Sequence, residues 1–247
     1  MDASRGSAAL LLERLDALPT LPEIAARMIR AVDDPDLDAS TISPMIESDP
    51  ALAARILGLC RTAEKGLGDR IGTVHKAVVM LGIEAVRGLV LGVAVYDLVR
   101  EAGEQADIDA SADGVKGPIF DRDGHWRFAL GTACLARTLA TDHKQLRVNP
   151  DEAYLAGLLH DVGKPALDVC LPRSYRRVLD VAEARRSPSS SVERALIGMD
   201  HHEAGRRLAQ RWKLPQSVID VIWLHGQDPS AWEGREGAAL VSLVSAS

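Results

Sequence analysis

An adjacent histidine and aspartate, His160 and Asp161, end the apolar run Tyr154-Leu-Ala-Gly-Leu-Leu-His160-Asp161-Val-Gly-Lys164-Pro165. Neutral imidazole and carboxylate are both ligands for divalent transition metals. A catalytic metal needs three or more protein ligands and an open position for water or substrate, so the pair alone is half a site. Further along the chain lie the segments Asp200-His201-His202-Glu203 and Leu224-His225-Gly226. Each group also has a plainer role. His160 and Asp161 can hydrogen-bond each other or nearby backbone and tie down a helix end. Asp200 and Glu203 fit the capping of a helix start, and Lys164 fits a solvated charge near a helix C-terminus. His75 and His143 have no partner pattern and are expected on the surface. Arg173, Arg176, Arg177, Arg185 and Arg186 read as a solvated helix face, with an acidic partner or a nucleotide phosphate as the alternative.

The elements that must position these groups read as helices throughout. Aromatic residues are only 4%, and Ala, Leu, Arg and Glu recur at three-and-four spacing, so the expected fold class is all-α. A first helix over Ser7 to Ala17 is followed by the stiff break Leu18-Pro-Thr-Leu-Pro22, and Pro22 can open the next helix. Ser48-Asp49-Pro50 separates a helix through Ile42 and Ile46 from one over Ala51 to Arg61, and Thr73 caps a fifth. Ile83 to Val99 is apolar almost all round and reads as a central helix. Glu101 to Gly124 loses that pattern and is expected to be a long connection. Beyond it lies a helix over His125 to Thr141 with Trp126, Leu130, Cys134, Leu135 and Leu139 turned inward. A second carries the His-Asp pair and stops at Gly163 and Pro165. Helices over Pro172 to Arg185, from Ser187, over Glu203 to Trp212 and over Gln216 to His225 complete the series. The apolar run Gly237 to Ser247 has no C-terminal stop signal and is expected to be cut short. The predicted organisation is an N-terminal helix over 1–17, a helical lobe over 18–100, a connection over 101–124 and a second lobe over 125–247.

With 247 residues and 47% hydrophobic content the chain can bury a sizeable core. A formal charge of −6 argues against a broad nucleic-acid footprint, which needs a positive stripe to displace counterions. Cys60, Cys134 and Cys170 are too few and scattered for a disulfide framework, so reduced thiols used as buried filler in a cytoplasmic protein are expected. No apolar stretch has the length of a membrane span or the placement of a signal peptide.

Several stretches together resemble the HDOD family, a bacterial signalling domain related to HD-type metal phosphohydrolases. They are Leu18-Pro-Thr-Leu-Pro22, Asp49-Pro50-Ala-Leu-Ala-Ala-Arg-Ile-Leu, Ala77-Val-Val-Met-Leu-Gly-Ile83, Ala156-Gly-Leu-Leu-His-Asp-Val-Gly-Lys164, Asp200-His-His-Glu-Ala-Gly205 and Trp212-Lys-Leu-Pro215. The resemblance implies a helical bundle with an N-terminal lobe and a C-terminal lobe carrying a degenerate HD-type metal core. It places Phe128 where catalytic relatives have their first histidine ligand, and phenylalanine offers no lone pair. His125, three residues earlier, is the one neighbour able to substitute. His160, Asp161, His201 and His225 are the implied remnant metal site, for an ion such as Fe, Mn or Zn, with Lys164 as a phosphate contact. Gly226 stands where a second histidine of a pair belongs, and no acidic residue follows Glu236 to supply the last ligand. The implied function is a non-catalytic signal-transduction module acting through protein contacts or through a ligand in the degenerate pocket. It needs no cofactor, and its partner and oligomeric state are not readable. An HD-type phosphohydrolase of a nucleotide or cyclic dinucleotide is the first alternative. A DNA-binding regulator, suggested by the two short helices between Ala39 and Arg61, is the second.

Overall fold

The computed structural model describes residues 2–30, 38–63, 71–112, 120–235 and 237–247, and no strand occurs among them. The all-α expectation therefore holds. The chain forms two compact units, one of Leu21–Tyr96 and one of Met1–Thr20 together with Asp97–Ser247. No helix among the described residues is long and apolar enough to cross a membrane.

The Leu21–Tyr96 unit holds α2 (Glu23–Arg30), α3 (Ala39–Glu47), α4 (Pro50–Ala63), α5 (Val74–Leu81) and the start of α6 (Ile83–Ala112). Its helices begin where short polar side chains can take up free backbone N–H groups. Asp38 accepts from Thr41 N at 2.8 Å, Asp49 from Ala51 N and Leu52 N, and Thr73 from Lys76 N. Met28, Ile42, Ile46, Ile56, Val74 and Ala77 are buried and form its core.

The larger unit begins with α1 (Asp2–Ala17), which is not a separate appendage. Arg14 donates to the Cys170 carbonyl at 2.6 Å, Arg211 to that of Leu15 at 2.8 Å, and Arg207 pairs with Asp16. The long connection expected over 101–124 is corrected: α6 continues to Ala112, residues 113–119 lie outside the described residues, and α7 starts at Arg122. Glu101, Ala102, Glu104 and Gln105 are good helix formers, and Arg100 pairs with Glu104 one turn on at 2.5 Å. Arg122 then bridges Asp107 and the fully buried Asp168, each at 2.5 Å, tying the ends of α6 and α7 to α9.

Past α7 (Arg122–Asp142) come a 3-10 turn (Lys144–Leu146), α8 (Pro150–Leu159), α9 (Gly163–Cys170), α10 (Pro172–Arg185), α11 (Ser189–Leu196), α12 (His201–Arg211), α13 (Gln216–Leu224), a second 3-10 turn (Pro229–Ala231) and α14 (Ala238–Ser245). Two expectations change here. Gly163 and Pro165 do not merely stop α8; they open α9, proline being tolerated in a first helical turn because its missing N–H would be unbonded there. The inward face of α7 is also not the predicted one. Ala129, Thr132, Ala133, Ala136 and Ala140 are buried, whereas Leu135 is 52% exposed and Cys134 is exposed. Alanine on this face brings the helix close to α8, and Trp126, Leu130 and Tyr154 pack around the Ala129, Ala133 and Leu158 contact. Cys170 is buried as expected of a filler thiol.

Candidate metal-binding site

The Asp200 side chain accepts from Glu203 N at 2.9 Å, which starts α12 at His201 and directs His201 and His202 into the protein. His160 follows the last turn of α8, and His225 follows that of α13. A close approach between α9 and α12 fixes their relation. A Cβ on Gly163 would collide with the His201 carbonyl and stand 2.9 Å from Gly205 N, so only glycine lets the chain leaving Asp161 pass beneath His201.

Three imidazoles are oriented in the same manner. His160 Nδ1 lies 2.6 Å from the Gly157 carbonyl, His225 Nδ1 3.0 Å from that of Val221, and His201 Nδ1 2.6 Å from Glu193 Oε2. Each acceptor takes the Nδ1–H, so in a neutral ring the Nε2 lone pair is left free. These lone pairs converge on Asp161. Its Oδ1 is 3.4 Å from Nε2 of His201 and 3.4 Å from Nε2 of His225, while His160 Nε2 is 3.7 Å from Oδ2. Lys164 Nζ occupies Oδ2 at 2.5 Å, and Oδ1 is buried with no hydrogen-bond partner among the described residues.

The electrostatics follow from burial. Burial pushes His160 down to about 4, with Asp161 pulling the other way, so its ring is neutral near pH 7. Burial opposes the charge on Asp161, but contact with His225 and the neighbouring Lys164 and His160 hold its carboxyl well below the usual range. An anionic oxygen and several lone pairs thus face one another with few protons between them, which is costly unless a cation lies among them. Donors about 2.1 Å from one tetrahedral ion stand about 3.4 Å apart, the spacing found around Asp161 Oδ1. The donor set, imidazole nitrogen with one carboxylate oxygen, suits Zn, Fe or Mn. Glu193 behind His201 supplies the outer hydrogen bond that commonly orients a ligating histidine; its Oε2 also accepts from His201 N at 2.8 Å.

The site residues expected from sequence fall as follows. His160, Asp161, His201 and His225 come together, and Lys164 is held on Asp161 with 28% of its side chain exposed. Phe128 lies at the lip, 61% exposed, its ring centroid 5.9 Å from that of His160, so it does not plug the space between the ligands. His125 faces the same region. Burial lowers it to about 4 against the pull of Asp161, and its ring lies tilted against Phe120, 5.2 Å between centroids. His75 and His143 are exposed, and so are Arg173, Arg176, Arg177, Arg185 and Arg186. Two residues escaped sequence reasoning. Glu193 is fully buried, yet nothing in Ser191-Val-Glu-Arg194 marks it, because its partner lies in another helix. His202 belongs to the helix start that Asp200 caps, and its doubling with His201 is the signal the sequence carries.

The HDOD domain model matches residues 18–228. The chain belongs to the HDOD domain family. An uncharacterized protein of Treponema pallidum (strain Nichols) is 27% identical over 237 residues, covering 96% of this chain, and the chain spans only 42% of that relative's length. The structure of an HDOD domain protein of unknown function from Geobacter sulfurreducens is 27% identical, with a TM-score of 0.75 over 98% of this chain and 76% of that one. A Shewanella amazonensis SB2B protein, described provisionally as a phosphohydrolase, is 28% identical, with a TM-score of 0.75 over 97% of this chain and 80% of that one. This chain and the two solved structures share one fold.

Proposed function

We propose that this HDOD chain is a signal-transduction module whose pocket holds a single divalent cation and works by binding, not by hydrolysis. Asp161 carries the reading. Its Oδ1 is buried, without a hydrogen-bond partner among the described residues, 3.4 Å from Nε2 of both His201 and His225, and suited to a cation. Its Oδ2 is taken by Lys164, so the carboxylate has one oxygen to give and is poorly placed to bridge two ions. His160, Asp161, His201 and His225 would hold the ion, with Gly157, Glu193 and Val221 fixing the ring orientations. When bound, such an ion supplies Lewis acidity to a ligand oxygen. Phe128 at the lip presents an apolar face where a further donor would complete the shell, which supports binding over turnover. The protein partner of such a module would read the state of the pocket.

The competing reading is an HD-type phosphohydrolase, favoured by Lys164, which stands beside the pocket with part of its side chain exposed. Elemental analysis and a phosphoester panel that includes nucleotides and cyclic dinucleotides separate the two. We expect about one Zn, Fe or Mn per chain, lost in Asp161→Ala, and no turnover that depends on Asp161. A metal-free wild-type chain that takes up no added ion would refute the cation site. Turnover abolished by Asp161→Ala would establish the hydrolase instead.

A further inference from the structure

Gly226 is not glycine for the sake of its backbone. The described glycines with positive φ are Gly82, Gly198, Gly234 and Gly237, and Gly226 is not among them. What Gly226 provides is room. A Cβ there would collide with His202 Nε2 and lie 2.9 Å from its Cε1, so the His202 ring fills the volume that any side chain at 226 would claim. That ring is buried, with centroids 4.0 Å from the ring of His201 and 4.6 Å from the ring of His225. One nitrogen from each of His201, His202 and His225 lies within 4.8 Å of the others, as do ligand atoms of His160, Asp161 and His225. His225 is common to both sets. Its Nδ1 is turned to the Val221 carbonyl at 3.0 Å, so it has one nitrogen to offer and cannot serve two separate ions. The two sets meet at His225, with His160 and Asp161 belonging to one and His201 and His202 to the other. His202 is itself oriented: its Nδ1 faces Asp200 Oδ2 at 3.4 Å, and Arg194 holds the same oxygen.

We propose that His202 is a ligand of this centre, reaching it through the space left open at Gly226. Positions 202 and 226 are then alternative sources of one imidazole. This rests on the cation reading above and adds a ligand that reading does not require.

Cobalt(II) titration of the full chain, followed by its visible ligand-field absorption, tests the proposal on wild type, His202→Ala, His202→Gln, Gly226→Ala and the double variant His202→Ala/Gly226→His. Asp161→Ala serves as the reference for loss of the site, and far-UV circular dichroism checks folding. The single changes at 202 should each weaken cobalt binding at least about tenfold and alter the absorption band. Gly226→Ala should do the same without touching a ligand, because its methyl displaces the His202 ring. The double variant should bind within a few-fold of wild type. Wild-type affinity and spectrum in both His202→Gln and Gly226→Ala, beside loss in Asp161→Ala, would overturn the role of His202 and leave the cation site standing. A wild-type chain that takes up no cobalt would bring down both.

Discussion

At the residue scale the pocket is a set of lone pairs aimed at one carboxylate, and its weakest member is position 128. Phe128 stands beside His160, so an imidazole there would be near enough to join the donors. Phe128→His is expected to tighten zinc or cobalt binding about tenfold or more, read by competition with a chelator; unchanged affinity would place 128 outside the shell. A second buried carboxyl makes a separate prediction. Asp168 is pushed up to about 6 by burial, against the pull of Arg122 from α7, with Asp107 from α6 adding to the rise. Tyr175 from α10, itself held protonated by burial and by neighbouring carboxylates, is a further titratable group that interacts with it. An acid whose folded pKa exceeds its ordinary 3.8 holds its proton more tightly when folded. Its contribution to stability is fully present below about pH 4 and is lost as the pH rises through about 6, a change of up to about 3 kcal/mol. Asp168→Asn cannot titrate, so its urea-unfolding free energy relative to wild type should improve between about pH 4 and about pH 7.5. A constant difference across that range would mean that the Arg122 pair keeps Asp168 ionised throughout. The pair His160 and Asp161 was legible as a ligand pair from residue type and order, and His201 and His225 only through the resemblance to the HDOD family. Glu193 was not, since an outer hydrogen bond between helices leaves no mark in local sequence.

At the element scale, what the sequence disclosed depended on how each helix is held. Caps are local, so Asp49, Thr73 and Asp200 announced α4, α5 and α12. The second half of α6 has no apolar stripe to read; ion pairs such as Asp107 with Arg122, fifteen residues apart, tie it down instead. α9 was hidden because Gly163 and Pro165 are stop signals in a local reading. In the folded chain they serve the close crossing with α12 and a first helical turn. The buried face of α7 was misassigned because leucine outweighs alanine in any hydrophobic pattern, although small residues are what let α7 approach α8. The α9 and α12 crossing can be tested directly. Gly163→Ala must push its methyl against the His201 carbonyl, part of the backbone that sets a ligand. It should cost about 1–3 kcal/mol in urea unfolding, and more if the helices cannot separate. It should also weaken cation binding, since His201 moves with its helix. Unfolding loss without loss of affinity would show that α12 keeps its place and the strain is taken up by α9.

At the scale of the whole molecule, every proposed ligand lies in the unit that contains Asp97–Ser247, and the Leu21–Tyr96 unit contributes none. A cation held by His160, Asp161, His201 and His225 would pin the end of α8, the start of α12 and the end of α13 to one point. Binding to the folded form alone stabilises it by an amount set by concentration, about 2.7 kcal/mol at a hundred times the dissociation constant. That stabilisation belongs to whatever cooperative unit must open to release the ion. Hydrogen exchange with and without saturating zinc should therefore slow in α8, α9, α12 and α13, by up to about a hundredfold where exchange requires opening of that unit. Amides of α2 to α5 should exchange at unchanged rates. Equal slowing in both regions would show that the two units open together. In that case the state of the pocket would be felt throughout Leu21–Tyr96, and a partner could read it from either unit.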